Sequence, residues 1–125
     1  MTDQALAAFK HMSEHPGPIA EIFQSGTEYY FRYGGHSFSV NRVSPSPARD
    51  DVYSAFVYPG YGGSLASLAE HYDEGEPYGE IPLVRYGSDQ PDAGGFGPVL
   101  ARLYKVVADK YLNLDDIFQD VFSAK

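Results

Sequence analysis

The run Gly62-Gly63-Ser64-Leu65-Ala66 places a serine between a strand-like and a helix-like segment, a setting in which a hydroxyl can be held out as a nucleophile. A hydrolase of that type needs an acid and a histidine further along. The only later histidine is His71, two turns along the same helix, and its ring cannot return to Ser64 at hydrogen-bond distance. Ser64 therefore reads as a helix cap. The overlapping run Gly60-Tyr61-Gly62-Gly63-Ser64 could cradle a phosphate or another small molecule at a helix N-terminus. No lysine follows it, and the neighbouring carboxylates would repel a nucleotide, so a plain strand-to-helix turn is the better reading. Gly94-Gly95-Phe96-Gly97-Pro98 has the same ambiguity and likewise reads as a turn into a helix.

Metal chemistry would need converging ligands. His71, Asp73, Glu74 and Glu76 are close in sequence, but their spacing is neither that of a calcium loop nor that of paired histidines on one helical face. His11 and His15 do stand at i and i+4, near the end of a helix. Neither group implies a resident metal, and no cofactor is expected. His36 falls on the apolar side of a hairpin, where a structural role is expected before a catalytic one.

Charge is the more informative pattern. The 125 residues carry 17 acids against nine bases, for a net charge of −8. Residues 1–49 hold four of each, and so do residues 93–125. The whole excess therefore lies in residues 50–92, where nine carboxylates face only Arg85. Six of the 11 tyrosines fall in the same stretch, and tyrosine offers contact area at a low entropy cost. An acidic surface of this kind attracts a basic protein and repels a phosphate backbone, which argues against a nucleic-acid binder, and no direct nucleic-acid partner is expected.

The elements that must position these residues follow from periodicity and punctuation. A helix is expected over 3–14, with Thr2 as its cap and His15-Pro16-Gly17 as its stop. Pro18 suits the first turn of a short second helix carrying Ile19, Ile22 and Phe23 and closed by Gly26. Gly34-Gly35 between two alternating segments predicts a two-residue hairpin turn. Its register sets Tyr33 opposite His36, Phe31 opposite Phe38 and Tyr29 opposite Val40. Glu28, Tyr30, Arg32, Ser37, Ser39 and Asn41 then share the other face.

Val52 to Tyr58 reads as a third strand. A helix capped by Ser64 follows, with Leu65, Leu68, Ala69 and Tyr72 on one face. Ile81 to Tyr86 is a short strand in which Pro82 demands an edge position. Pro98 opens a long helix with Val99, Leu100, Leu103, Val106 and Val107 as its buried stripe. Asn113 is set to cap a last helix, with Asp116 in the capping-box position and Ile117, Phe118, Val121 and Phe122 apolar.

The expected fold is α+β across 1–125 as a single domain, with a small antiparallel sheet of about four strands and helices at both termini packed on it. There is no cysteine. No basic n-region precedes an apolar stretch at the N-terminus, and no run reaches the roughly 18 apolar residues of a membrane span. A cytoplasmic protein without a membrane partner is the expectation. The functional expectation is an acidic protein-interaction module, such as an inhibitor or immunity protein that neutralises a basic partner of the nuclease-toxin kind. Its contact residues would be Tyr53, Tyr58, Tyr61, Glu70, Asp73, Glu74, Glu76, Tyr78 and Glu80. The alternative is a small-molecule-binding or enzymatic domain built on the Gly60–Ser64 loop, which requires an enclosed pocket there.

Overall fold

The computed structural model describes residues 2–44, 46–47, 50–73, 81–89 and 95–124. Its elements are α1 (Thr2–Glu14), β1 (Ala20–Ser25), β2 (Glu28–Tyr33), β3 (His36–Val43), β4 (Val52–Tyr58), α2 (Leu65–Asp73), β5 (Val84–Gly87), α3 (Phe96–Leu112) and α4 (Leu114–Ser123). The strands form one antiparallel sheet in chain order, β1-β2-β3-β4-β5. The fold is α+β as expected, with five strands in place of about four.

The β2–β3 hairpin has the register its sequence dictates. Tyr33 faces His36, Phe31 faces Phe38 and Tyr29 faces Val40 across Gly34-Gly35. Both glycines have positive φ, 58° and 81°, as a two-residue hairpin turn of this kind requires. β5 is an edge strand, beginning two residues after Pro82, so the missing amide donor costs no ladder bond.

The segment after Pro18 is a strand, not a helix. Its register against β2 shifts between Ala20 and Phe23, and Glu21 in the bulge is left-handed at φ 56°. One extra residue in a strand turns a period of two into a local period of three. That is why Ile19 and Ile22 both reach the core while spaced as on a helix.

Both faces of the sheet are covered. α1 and α3 pack together on one face, where Phe9 and Met12 of α1 and Phe96, Leu100, Leu103 and Val107 of α3 meet Ile19, Phe31, Phe38 and Val40. α2 lies on the other face over β1 and β2, where Leu65, Leu68 and Ala69 meet Tyr30 and Tyr58. The helix on this second face thus comes from mid-chain and not from a terminus. It buries the hairpin side that carries Ser37 and Ser39, both fully enclosed.

Ser39 donates to Glu28 Oε2, which leaves the Tyr58 hydroxyl to donate to Ser39 Oγ at 2.9 Å. Among the described residues no buried side-chain polar atom lacks a partner.

Tyr104 joins the α3 stripe in addition to the residues its periodicity marks, while Val99 and Val106 are only partly buried. Its ring meets Tyr29 at 5.4 Å and Tyr53 at 5.9 Å, and its hydroxyl donates to the Thr27 carbonyl at 2.8 Å. Burial, reinforced by Tyr29, holds the phenol above its usual pKa, against the opposing pull of Arg42. A raised pKa in the folded state stabilises the fold below the ordinary tyrosine range, and that stability drains as pH rises through the shifted value. Tyr104→Phe should therefore cost about 1 kcal/mol in denaturant titrations near neutrality. It should also flatten the loss of stability between roughly pH 9 and pH 12 relative to the parent. An unchanged alkaline limb would show that this phenol does not set it.

α4 departs from expectation at both its start and its packing. Asn113 closes α3 in the left-handed conformation, φ 58° and ψ 39°, with its N–H directed to the Asp109 and Lys110 carbonyls. An N-cap needs extended backbone, so Asn113 makes no side-chain cap for α4. Ile117, Phe118, Val121 and Phe122 are exposed and do not pack on the sheet.

Candidate interaction surface

The predicted contact residues separate into distinct places. Tyr58 is 3% exposed beneath α2, its ring 6.2 Å from Tyr30 and 6.4 Å from Phe56. It is a core residue and not the surface anchor expected of it, because α2 crosses the sheet above its ring. Tyr53 is half-buried on the opposite face of the sheet, against Tyr104. Tyr86 lies on that same face between Phe9 and Phe96, at 5.5 and 5.8 Å. Tyr61 is half-buried on the α2 side, with its hydroxyl donating to the Ser64 carbonyl at 2.7 Å. The described rings are therefore divided between two faces, because alternation along β4 and β5 sends successive side chains to opposite sides.

The carboxylates are distributed differently. Glu70 is exposed on α2, and Asp73 is the last residue of that helix. Glu74, Glu76, Tyr78 and Glu80 lie outside the described residues. The ends of their segment are nevertheless fixed. Ala69, 1% exposed, holds α2 in the second core, and Ile81 packs against the same cluster. The described residues that flank the run, Ala69 and Ile81, thus belong to one cluster on one face of the sheet. Asp51 and Asp89 are engaged elsewhere: Asp51 accepts from Ser44, and Asp89 pairs with Arg85 at 2.9 Å. Arg85 also donates to Ser54 at 2.8 Å.

The Gly60–Ser64 turn is occupied by the protein's own groups. Arg32 donates through Nη2 to the Gly63 carbonyl and through Nη1 to Ser37, and its Nε pairs with Glu21 at 2.6 Å. Ser37 in turn donates to the Tyr61 carbonyl. A Cβ added at Gly63 would stand 2.6 Å from the Tyr61 hydroxyl, so the Tyr61 side chain lies against the turn at that position. Ser64 accepts from the Ser67 amide at 3.1 Å and donates to the Ser67 hydroxyl, which makes it a helix cap.

His11 and His15 stack with ring centroids 4.5 Å apart, and Tyr33 approaches His11 edge-on. Among the described residues no group of three His, Asp or Glu is placed to hold a metal ion. His36 is exposed at the hairpin turn and not enclosed by the core. Among the described residues no helix is long and apolar enough to cross a membrane.

Sequence reasoning passed over one surface. The apolar residues of α4 are the largest exposed group in the described structure, Phe122 being 79% exposed. The signal was present in their spacing, but an amphipathic helix announces only that its stripe needs a partner, not whether the same chain provides it. No family model, curated protein or solved structure matches this chain, so the reading of its surfaces rests on their chemistry alone.

Proposed function

We propose that the chain is an acidic protein-interaction module whose α2 side receives a basic protein, in the manner of an inhibitor or immunity-type protein that masks the cationic cleft of a nuclease. One observation carries the reading: the entire net charge of −8 resides in residues 50–92, and its densest run, Asp73 to Glu80, is tied at both ends to one face of the sheet. The field of these carboxylates raises the rate of encounter with a cationic partner. Tyr53 and Tyr58 take no part, since both serve the core. Glu70 and the carboxylates of the run carry the contact, and Tyr61 and Tyr78 are the phenolic candidates at its border.

Charge reversal tests the reading. Glu70, Glu74, Glu76 and Glu80 are replaced by lysine, and parent and variant are used to capture basic proteins, which are then titrated against both. The variant should bind at least roughly tenfold more weakly and with a shallower salt dependence, its circular dichroism being unchanged. Equal binding by both chains would reject the acidic run as the contact surface.

A further inference from the structure

α4 presents an apolar stripe that nothing in the described fold covers. Ile117, Phe118, Val121 and Phe122 are 49, 54, 63 and 79% exposed, and Tyr111 and Leu112 at the end of α3 are 41 and 51% exposed. At roughly 200 Å² for each large side chain these exposures amount to on the order of 600 Å² of apolar surface. That is at the upper end for the largest patch on a monomer, about 300–600 Å², and close to the roughly 800 Å² that one partner buries in a standard interface.

Beside the strip lies an open groove of about 600 Å³ between α3, α4 and the chain at Pro16 and Gly17. Val106 and Phe118 supply apolar lining, and Lys105, Asp109, Lys110 and Asp116 supply charge of both signs. Lys110 Nζ donates to the Pro16 and Gly17 carbonyls at 2.7 and 2.9 Å, which pins one wall of the groove to α3.

We infer that this strip and groove form a self-association surface, in which α4 of a second copy of this chain packs against α3 and α4 about a two-fold axis. Charge selects the second copy as occupant. Residues 93–125 contain four acids and four bases, whereas the excess of −8 lies wholly in residues 50–92. Two copies repel one another through their middle segments and meet without net repulsion only through an end that is balanced. The surface also holds both halves of a match. α4 has Asp116 and Asp120 beside its apolar stripe, and at the groove stands Lys105, 77% exposed and paired at 3.2 Å with Asp109 of its own helix, a solvent-exposed pair that an acid of the second copy can share. A two-fold arrangement uses each half twice, and it surrounds the paired stripes with two α3–α4 units in a four-helix contact.

Sedimentation equilibrium of the full chain between roughly 1 and 200 µM tests this inference. The parent should pass from monomer to dimer across that range, while the double variant Phe118→Glu, Phe122→Glu stays monomeric with the parent's circular dichroism. Val121→Cys gives a second, independent reading in a chain that has no cysteine: mild oxidation should yield a disulfide-linked dimer from the otherwise unaltered protein. Should the glutamate variant misfold, the cysteine result decides. A parent that is monomeric throughout, a dimer that survives the two glutamates in a folded variant, or Val121→Cys that fails to cross-link would each overturn the inference. None of these outcomes bears on the proposed acidic contact surface, which is tested separately by charge reversal.

Discussion

Leu68→Asp should detach α2 from the sheet while α1, α3 and the five strands remain folded. Leu68 is fully buried, and it sits in a small cluster with Tyr30, Tyr58, Leu65 and Ala69. Enclosing an unpaired carboxylate there would cost several kcal/mol. A nine-residue helix whose described docking side chains are Leu65, Leu68 and Ala69 cannot absorb that cost. The cheaper response is to release the helix, so the loss of stability is capped by its docking energy, about 3–4 kcal/mol. Amide exchange is the appropriate measurement: residues 65–73 should lose their protection while Leu100 to Val107 keep theirs. Leu103→Asp offers the contrast, since Leu103 lies in the larger cluster that joins α1 and α3 to the sheet, and its substitution should unfold the whole domain. Global unfolding of Leu68→Asp would show that the two layers are not separable.

The separation of layers bears directly on the proposed function. α2 contributes little to the main core, yet it sets where the acidic run begins. With α2 released, every carboxylate would remain in the chain but the run would lose one of its two anchors. Binding of a basic partner should then weaken through added flexibility, without any loss of the native carboxylates. The Leu68→Asp chain and the charge-reversed chain thus probe presentation and charge as distinct contributions.

How far the fold could be read from residues depended on whether the information was local. Gly34-Gly35 between alternating segments specifies a turn and hence a register, and every expected pair of that hairpin is present. Val52 to Tyr58 and the Ser64 cap are equally local signals and were legible for the same reason. Ile19, Ile22 and Phe23 misled because a bulge at Glu21 gives a strand the spacing of a helix, and no composition rule marks a glutamate for a left-handed backbone. Tyr58 was legible as a strand residue but not as a buried one. Its exposure depends on α2 returning across β1 and β2, a long-range fact absent from the alternation of β4. The surface chemistry was legible only as charge along the chain. Its division between two faces, and the bare stripe of α4, are properties of packing.

Arg32→Lys should cost about 2–3 kcal/mol, despite conserving the charge. One guanidinium serves three directions: Glu21 on β1, Ser37 on β3 and the Gly63 carbonyl in the turn leading to α2. Its side chain is 18% exposed, so these bonds are shielded from water more than those of a surface pair, and a single ammonium cannot reach all three. Losing it also leaves Glu21 to hold a left-handed conformation, which costs about 1–2 kcal/mol in a residue with a Cβ, without the partner that favours it. Glu21→Gly relieves that backbone cost. The Glu21 carboxylate is 65% exposed, so its ion pair contributes little through charge alone. In the Arg32→Lys background the glycine should restore about 1 kcal/mol, and in the parent it should be close to neutral. Denaturant midpoints of the four chains in this cycle measure the coupling. If lysine proves neutral at position 32, the guanidinium is not the tie between the β1 bulge, the sheet and the turn that launches α2. If glycine at position 21 destabilises both backgrounds equally, the bulge is held by its ion pair and not against backbone strain.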